Sequence, residues 1–103
     1  MEYIISQKKL YQLIFKYFDD FRKHYSEFTA NNFFYIYDSR GDAEQDFWYL
    51  VEYSIELGEL DLRKDALDIF KTWFPLPEND LLELFKDWFE ETYNTKVTEI
   101  SSY

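Results

Sequence analysis

Apolar and polar positions alternate along residues 47–57, where every second side chain is apolar. The apolar set consists of Phe47, Tyr49, Val51, Tyr53, Ile55 and Leu57. The intervening set, which becomes polar as it proceeds, consists of Trp48, Leu50, Glu52, Ser54 and Glu56. Because successive side chains of a strand point to opposite faces, this alternation predicts a half-buried strand with one continuous apolar side.

Gly58-Glu59 separates this strand from a second apolar alternation that begins at Leu60. A two-residue Gly-X connection is typical of a type II′ hairpin, because glycine accepts the positive φ of the first turn position. We therefore predict that Leu57 pairs with Leu60, so that Ile55 lies opposite Leu62 and all four side chains share one face.

Apolar residues that recur every three to four positions predict two long amphipathic helices, one before and one after this hairpin. Ser6 is a plausible N-cap for the first, which extends from about Gln7 to Tyr25. Its apolar stripe consists of Leu10, Leu13, Ile14, Tyr17, Phe18, Phe21 and Tyr25. Asn79 or Asp80 caps the other, with Glu83 completing a capping box, and Asn94 suits a left-handed exit. Its inner face consists of Leu81, Leu84, Phe85, Trp88 and Phe89.

A shorter helix is predicted between these two, starting after Asp61 or Leu62 and ending at Pro75-Leu76-Pro77, because proline cannot continue the helical ladder. Its stripe consists of Ala66, Ile69, Phe70, Trp73 and Phe74. Further strands are predicted at residues 2–5, at Asn32–Asp38 and at Lys96–Ile100. The order β-α-β-β-β-α-α-β predicts an α+β fold with helices on a mostly antiparallel sheet of about five strands, in a single domain of residues 1–103.

The negative charge of the chain argues against some classes of binding partner. The net charge is −10, and residues 27–62 alone hold 9 acidic residues and 1 basic residue. A field of this sign repels phosphates and acidic membranes, so we expect neither direct nucleic-acid binding nor membrane association. The chain has no cysteine, and we find no signal peptide and no apolar run long enough to span a bilayer, so we expect a cytoplasmic protein.

Several segments resemble a known group of sequences. They are IIS at residues 4–6, LYQLI at 10–14, KYFDDF at 16–21 and KDWFEETYNTKV at 86–97. In their spacing and in the placement of their aromatic residues they resemble short uncharacterised proteins of marine bacteriophages and ocean metagenomes. The resemblance implies a small phage-type accessory protein and implies no reaction.

No catalytic, cofactor-binding or metal-binding residue emerges from the sequence. Two glycines are too few for a phosphate-cradling loop. His24 is the only histidine, and we interpret it as a packed or half-exposed ring near a helix C-terminus, where its cation is favourable. The acidic loop that starts at Asp38 does not fit an EF-hand, because its third position is Arg40 and no glutamate stands at the twelfth. We therefore predict no cofactor, no metal and no enzymatic activity.

The sequence favours a small non-catalytic protein-interaction module, because its aromatic content of 23% exceeds what one small core needs. The alternative hypothesis is an acidic nucleic-acid mimic that inhibits a DNA-processing enzyme. The candidate mimic carboxylates belong to Asp38, Asp42, Glu44 and Asp46.

A homodimer is a further hypothesis for the partner. If all helices cover one face of the sheet, Trp48 and Leu50 lie on the other face, together with Phe34 and Ile36 of the preceding strand. Monomers seldom leave such a patch bare, so these four residues are the candidate interface. The alternative is that the first helix crosses to this side and buries them within one chain.

Overall fold

The computed structural model describes residues 7–37 and 49–102, with side chains described from residue 9 onward. In chain order the elements are α1 (Gln7–Lys23), β1 (Ser26–Ala30), β2 (Phe33–Tyr37), β3 (Tyr49–Ser54), β4 (Glu59–Leu62), α2 (Lys64–Trp73), α3 (Glu78–Tyr93) and β5 (Glu99–Ser102). The predicted α+β class is confirmed: the sheet has five strands, is mostly antiparallel and carries the helices on one face. No helix within the described ranges is both long enough and apolar enough to span a membrane.

Within the described ranges the strands stand in the sheet in chain order, with β4 and β5 parallel and the other neighbouring pairs antiparallel. Strand β1 is absent from the sequence prediction, whereas the strand predicted at residues 2–5 lies outside the described residues. Asn31 and Asn32 connect β1 to β2 with positive φ values of 52° and 67°. Two consecutive positive φ values are the requirement of a type I′ turn, which asparagine tolerates. The tight two-residue hairpin of this protein therefore joins Ala30 to Phe33.

The hairpin predicted between β3 and β4 exists, but its turn is longer than predicted. Tyr53 pairs with Leu60, and Ile55–Gly58 form the connection, so the predicted pairing of Leu57 with Leu60 is wrong. The Gly58 N–H donates to the Ser54 carbonyl at 2.7 Å and closes the turn. Gly58 has the predicted positive φ, at 73°. Leu57 is 60% exposed instead of facing the core.

One face of the sheet forms the floor of the core. Residues that share this face by register include Phe34 with Tyr53, Ile36 with Val51, and Leu60 beside Tyr53. Helix α3 packs directly on them, with the Phe89 ring 6.0 Å from Phe34 and 5.0 Å from Tyr53, measured between centroids. The core therefore lies between the sheet and α3.

Helix α3 matches its predicted inner face, because all five residues of that face are buried. Asn94 ends the helix in the predicted left-handed conformation, with φ 48°. The predicted N-cap is wrong, since the helix begins at Glu78 after Pro77, and Pro77 makes no side-chain capping bond. Helix α1 packs against α3 through Phe18, whose ring lies 5.2 Å from that of Phe85. A hydrogen bond of 2.8 Å from Trp88 Nε1 to Asp19 Oδ1 joins the same two helices.

Candidate functional site

An aromatic groove of about 420 Å³ lies between α1 and the second half of α2. Its lining consists of Tyr17, Asp20, Phe21, His24, Tyr25, Ile69 and Trp73. Protein sites for small ligands and side chains have volumes of roughly 300–1,000 Å³ and combine apolar walls with a few polar groups. The aromatic groove has this size and this composition.

Helix α1 supplies one wall because its rotation is determined by its most buried residues. Ile14 and Phe18 are fully buried. Tyr17 stands one position before Phe18 and therefore faces the side of the helix. Phe21, which is 6% exposed, lies one turn further along at the edge of the buried stripe. Asp20 lies one turn from Tyr17, on the rim, and the exposed His24 follows directly after the helix ends at Lys23.

Helix α2 supplies the other wall. Its buried residues are Ala66, Leu67 and Phe70, so Ile69 and Trp73 lie beside the buried stripe and are 42% and 66% exposed. Here the prediction is wrong, because it placed Ile69 and Trp73 in the stripe and omitted Leu67. The helix ends at Trp73 because Phe74 takes the extended backbone, with φ −130° and ψ 103°, that a following proline favours.

The Tyr17 ring is the centre of the groove wall. Its centroid lies 5.2 Å from that of Phe74 and 5.9 Å from that of Phe70, and both contacts are nearly perpendicular. These edge-to-face contacts are the geometry that aromatic quadrupoles favour, so they hold the ring in place. On the groove side, the Trp73 centroid lies 6.1 Å away with an interplanar angle of 44°. Burial, and secondarily the neighbouring Tyr25, raises the pKa of the Tyr17 hydroxyl, which therefore stays neutral at physiological pH.

The polar groups of the groove are the Asp20 carboxylate, the His24 imidazole and two tyrosine hydroxyls, and the lining contains no Lys and no Arg. The Asp20 side chain is 59% exposed, and its Oδ1 lies 4.0 Å from Lys23 Nζ, which is the limit of an ion pair. The lining also contains no Ser, Thr or Cys that could act as a nucleophile. Aromatic rings beside one carboxylate and one imidazole give the groove the composition of a binding site.

A different face of α1 shows how this protein holds a cation. The guanidinium carbon of Arg22 lies 4.9 Å from the centroid of the Tyr93 ring. Arg22 Nε donates to Glu27 Oε1 at 2.7 Å, and the Tyr93 hydroxyl donates to the same oxygen at 3.1 Å. Burial and the nearby Glu27 carboxylate raise the pKa of Tyr93, although Arg22 opposes them. A ring and a carboxylate together bind this cation.

Three of the four predicted interface residues lie in the core or against it. Ile36 is fully buried, Leu50 is 8% exposed, and Phe34 packs against the core. The reason is a bulge, because Tyr37 pairs with Tyr49 while Ile36 pairs with Val51, and Leu50 is left between the two pairs. The prediction that these three residues form a surface patch is therefore wrong. Trp48 lies outside the described residues.

The face of the sheet opposite the helices is aromatic at one end and acidic at the other. Tyr35 stacks on Phe28 and on Tyr49, at centroid distances of 4.8 and 4.4 Å. Further along the face, Glu52 stands opposite Asp61, and Glu59 stands opposite Glu99. The predicted mimic residues Asp38, Asp42, Glu44 and Asp46 lie outside the described residues.

Metal binding finds no support in the described part of the chain. No group of three or more His, Cys, Asp or Glu side chains there could hold a metal ion. Asp20 and His24 approach the groove, but the structure shows no hydrogen bond between them that would orient the imidazole.

Sequence reasoning missed Trp73 and Ile69 as surface residues, although a signal was present. Helix α2 carries five apolar residues within its ten positions, Ala66, Leu67, Ile69, Phe70 and Trp73, and Phe74 directly follows it. These apolar residues occupy a wider arc of the helix surface than one packing interface with the core can bury, so some of them must face outward.

Comparison with known proteins adds no relative. No family model, curated protein or solved structure matches this chain. The resemblance to marine phage proteins therefore stays a prediction, and the functional argument rests on the aromatic groove.

Proposed function

We propose that this protein is a small non-catalytic interaction module that binds a peptide segment of another protein in the aromatic groove. The observation that carries the proposal is the exposure of Trp73, at 66%, directly beside the exposed Ile69. Tryptophan is among the residues that contribute most to binding when a partner covers them. An indole that lies over an aromatic groove is therefore a suitable anchor for a partner.

Leu13 extends this surface along α1. It is exposed and stands one helical turn before Tyr17. Helix α1 therefore presents an apolar row that continues out of the groove, in a direction that a bound segment could follow. Contiguous exposed apolar side chains of this kind mark interaction sites in many monomers.

The dimensions favour a peptide over a globular partner. Helix α2 lines the groove from Ile69 to Trp73, so this wall is about 6–8 Å long at 1.5 Å per residue. A stable interface between two globular proteins buries about 800 Å² on each partner, which is more than one groove of this length supplies. An extended or helical segment that inserts a few side chains fits it better.

The experiment is a selection from a displayed random-peptide library, using wild type, Trp73→Ser and Leu57→Ser as baits. Leu57 is a matched control, because it is 60% exposed but lies on the β3–β4 turn, outside the groove lining. We expect peptides that bind wild type and Leu57→Ser equally and bind Trp73→Ser at least about tenfold more weakly, as hot-spot losses above about 1.4 kcal/mol imply. Peptides that bind all three proteins equally, or the absence of any enrichment, would refute the proposal.

The acidic mimic is the second candidate, and the sheet provides an observation in its favour. Like charges directly opposite each other destabilise a sheet, yet Glu52 faces Asp61 and Glu59 faces Glu99. A basic DNA-binding cleft would compensate this repulsion. We would assay a panel of DNA-processing enzymes with wild type and with the variant carrying Gln or Asn at all four positions. Inhibition by wild type alone, relieved by excess duplex DNA, supports mimicry, and inhibition that DNA does not relieve contradicts it.

A further inference from the structure

We propose that the aromatic groove recognises a cationic side chain, lysine or arginine, of the bound peptide. The charged group lies over the Tyr17 and Trp73 rings and is paired with the Asp20 carboxylate. This inference rests on the proposed function, because it specifies the chemistry of the partner that enters the same groove.

The ring geometry suits a cation. A charged nitrogen is attracted to an aromatic face when it lies within about 6 Å of the ring centroid, and tryptophan is the strongest such ring. The Tyr17 and Trp73 centroids are 6.1 Å apart, and the rings are inclined by 44°. One cation can therefore lie within reach of both faces. Because Tyr17 is held from below by Phe70 and Phe74, the wall is preorganised and little side-chain entropy is lost on binding.

The electrostatics favour a positive ligand over a negative or neutral one. Asp20 is the carboxylate of the lining, which has no Lys or Arg. Lys23 lies outside the lining with its Nζ 4.0 Å from Asp20 Oδ1, and because its side chain is 77% exposed, a bound cation can displace it. The whole chain carries a net charge of −10, which attracts basic segments over long range. Helix α1 itself holds five basic and two acidic residues, so the preference at the groove comes from Asp20 and the rings. An anionic side chain would meet both the Asp20 carboxylate and the negative faces of the rings, so the groove discriminates against it.

The same protein already contains this recognition geometry once. Arg22 lies over the Tyr93 ring at 4.9 Å while its Nε donates to the Glu27 carboxylate. The groove repeats the combination of ring and carboxylate, with Tyr17 and Trp73 as the rings and Asp20 as the acid. The cation of the partner takes the place of the exposed Lys23, whose Nζ lies 4.0 Å from Asp20 Oδ1.

The experiment uses two capped peptides with uncharged Gly-Ser flanks that differ at one residue. One carries trimethyllysine, and the other carries its neutral isostere, in which a tert-butyl group replaces the trimethylammonium group. Both have the same shape and nearly the same apolar surface, so they differ only in charge. Binding is followed by NMR through the indole N–H signal of Trp73, assigned with Trp73→Phe, because this method measures millimolar dissociation constants.

We expect the cationic peptide to bind about 3- to 30-fold more tightly than the isostere. Asp20→Asn should reduce this preference and leave binding of the isostere unchanged. Asp68→Asn is the matched control, since it removes one charge from an exposed position of α2 outside the lining, and it should leave the preference intact.

The possible results separate the two proposals. Equal binding of both peptides, lost for both in Trp73→Ser, shows an apolar pocket and overturns the inference while supporting the proposed function. Binding of neither peptide, when library peptides do bind through Trp73, overturns the inference alone. Failure of both the library selection and the peptide pair overturns both proposals.

Discussion

Replacing Gly58 by alanine tests how the β3–β4 turn is joined to the chain before β5. Gly58 has φ 73°, where a residue with a Cβ costs about 1–2 kcal/mol. A Cβ at this position would lie 3.1 Å from Thr98 Cγ2 and 3.2 Å from the Lys96 carbonyl oxygen. Both contacts are tighter than ordinary packing, and the carbonyl belongs to the backbone, which cannot move aside independently.

The magnitude follows from three contributions. Strain at positive φ costs about 1–2 kcal/mol, and overpacking costs about 1–3 kcal/mol. The smaller entropy of the unfolded alanine chain offsets about 0.4–1 kcal/mol of this. We therefore expect Gly58→Ala to lower the free energy of unfolding by about 1–5 kcal/mol, and Gly58→Val to lower it further, because a β-branched residue is accommodated worst at positive φ.

Urea unfolding, with equal m-values as a check that the unfolded states are comparable, measures this difference. Thr98→Ser separates crowding from strain, because it removes Cγ2 and keeps the hydroxyl that donates to the Leu57 carbonyl at 2.9 Å. In the double variant Gly58→Ala/Thr98→Ser, the steric cost of the new Cβ should be smaller than in Gly58→Ala alone, which gives a coupling energy of about 0.5–1 kcal/mol. An unchanged midpoint for Gly58→Ala would refute the reasoning altogether, and a destabilisation without coupling would refute the contribution of the Thr98 methyl group, since the Lys96 carbonyl contact remains in both backgrounds.

Two further predictions concern α3. Burial, and secondarily the neighbouring Glu83 and Glu90, raise the pKa of Asp87 above its usual 3.8. The folded state therefore favours the protonated carboxyl group, and the fold loses stability as pH rises through that raised pKa and the group ionises. Asp87→Asn should therefore stabilise the fold at pH 7 and lose its advantage below about pH 3.8, whereas equal gains from Asp68→Asn would indicate a general effect of net charge. Asn94 ends the helix with φ 48°. Asn94→Gly should therefore stabilise the fold and Asn94→Ala should destabilise it, each by about 1 kcal/mol, which thermal unfolding measures. A thermal midpoint for Asn94→Ala at or above that of wild type would contradict this reasoning.

The rotation of a helix could be predicted where its apolar arc is narrow. In α3 the apolar residues recur at Leu81, Leu84 and Phe85, then at Trp88 and Phe89, and all are buried as predicted. In α1 the arc is wider, and Leu13, predicted to be in the stripe, is exposed. Where several rotations bury similar apolar areas, the choice depends on the neighbouring helices, and a single sequence does not contain that information.

The predicted pairing of β3 with β4 is wrong for a similar reason. Gly58 was correctly predicted to have a positive φ, but a positive φ suits both the first position of a two-residue turn and the last position of a longer one. The choice depends on Thr98, whose N–H donates to the Gly58 carbonyl at 2.8 Å. A contact with a distant part of the chain therefore determines the register of this local hairpin. Strand β1 was missed although Asn31-Asn32 is itself a turn signal, because Phe28 is the only large apolar residue of Ser26–Ala30.

The exposure of Trp73 follows from the requirements of the other rings. Helix α2 can turn either Leu67 and Phe70 or Ile69 and Trp73 towards the core. Phe70 can be buried without any polar partner, and it packs between Phe18 and Phe21, with centroid distances of 4.9 and 5.0 Å.

An indole needs a hydrogen-bond acceptor when it is buried. Trp88 has such an acceptor in Asp19, and a buried Trp73 would require a second one. The rotation that buries Phe70 avoids this requirement and leaves the indole at the surface over Tyr17. The packing preference that stabilises the core therefore also places the anchor of the aromatic groove.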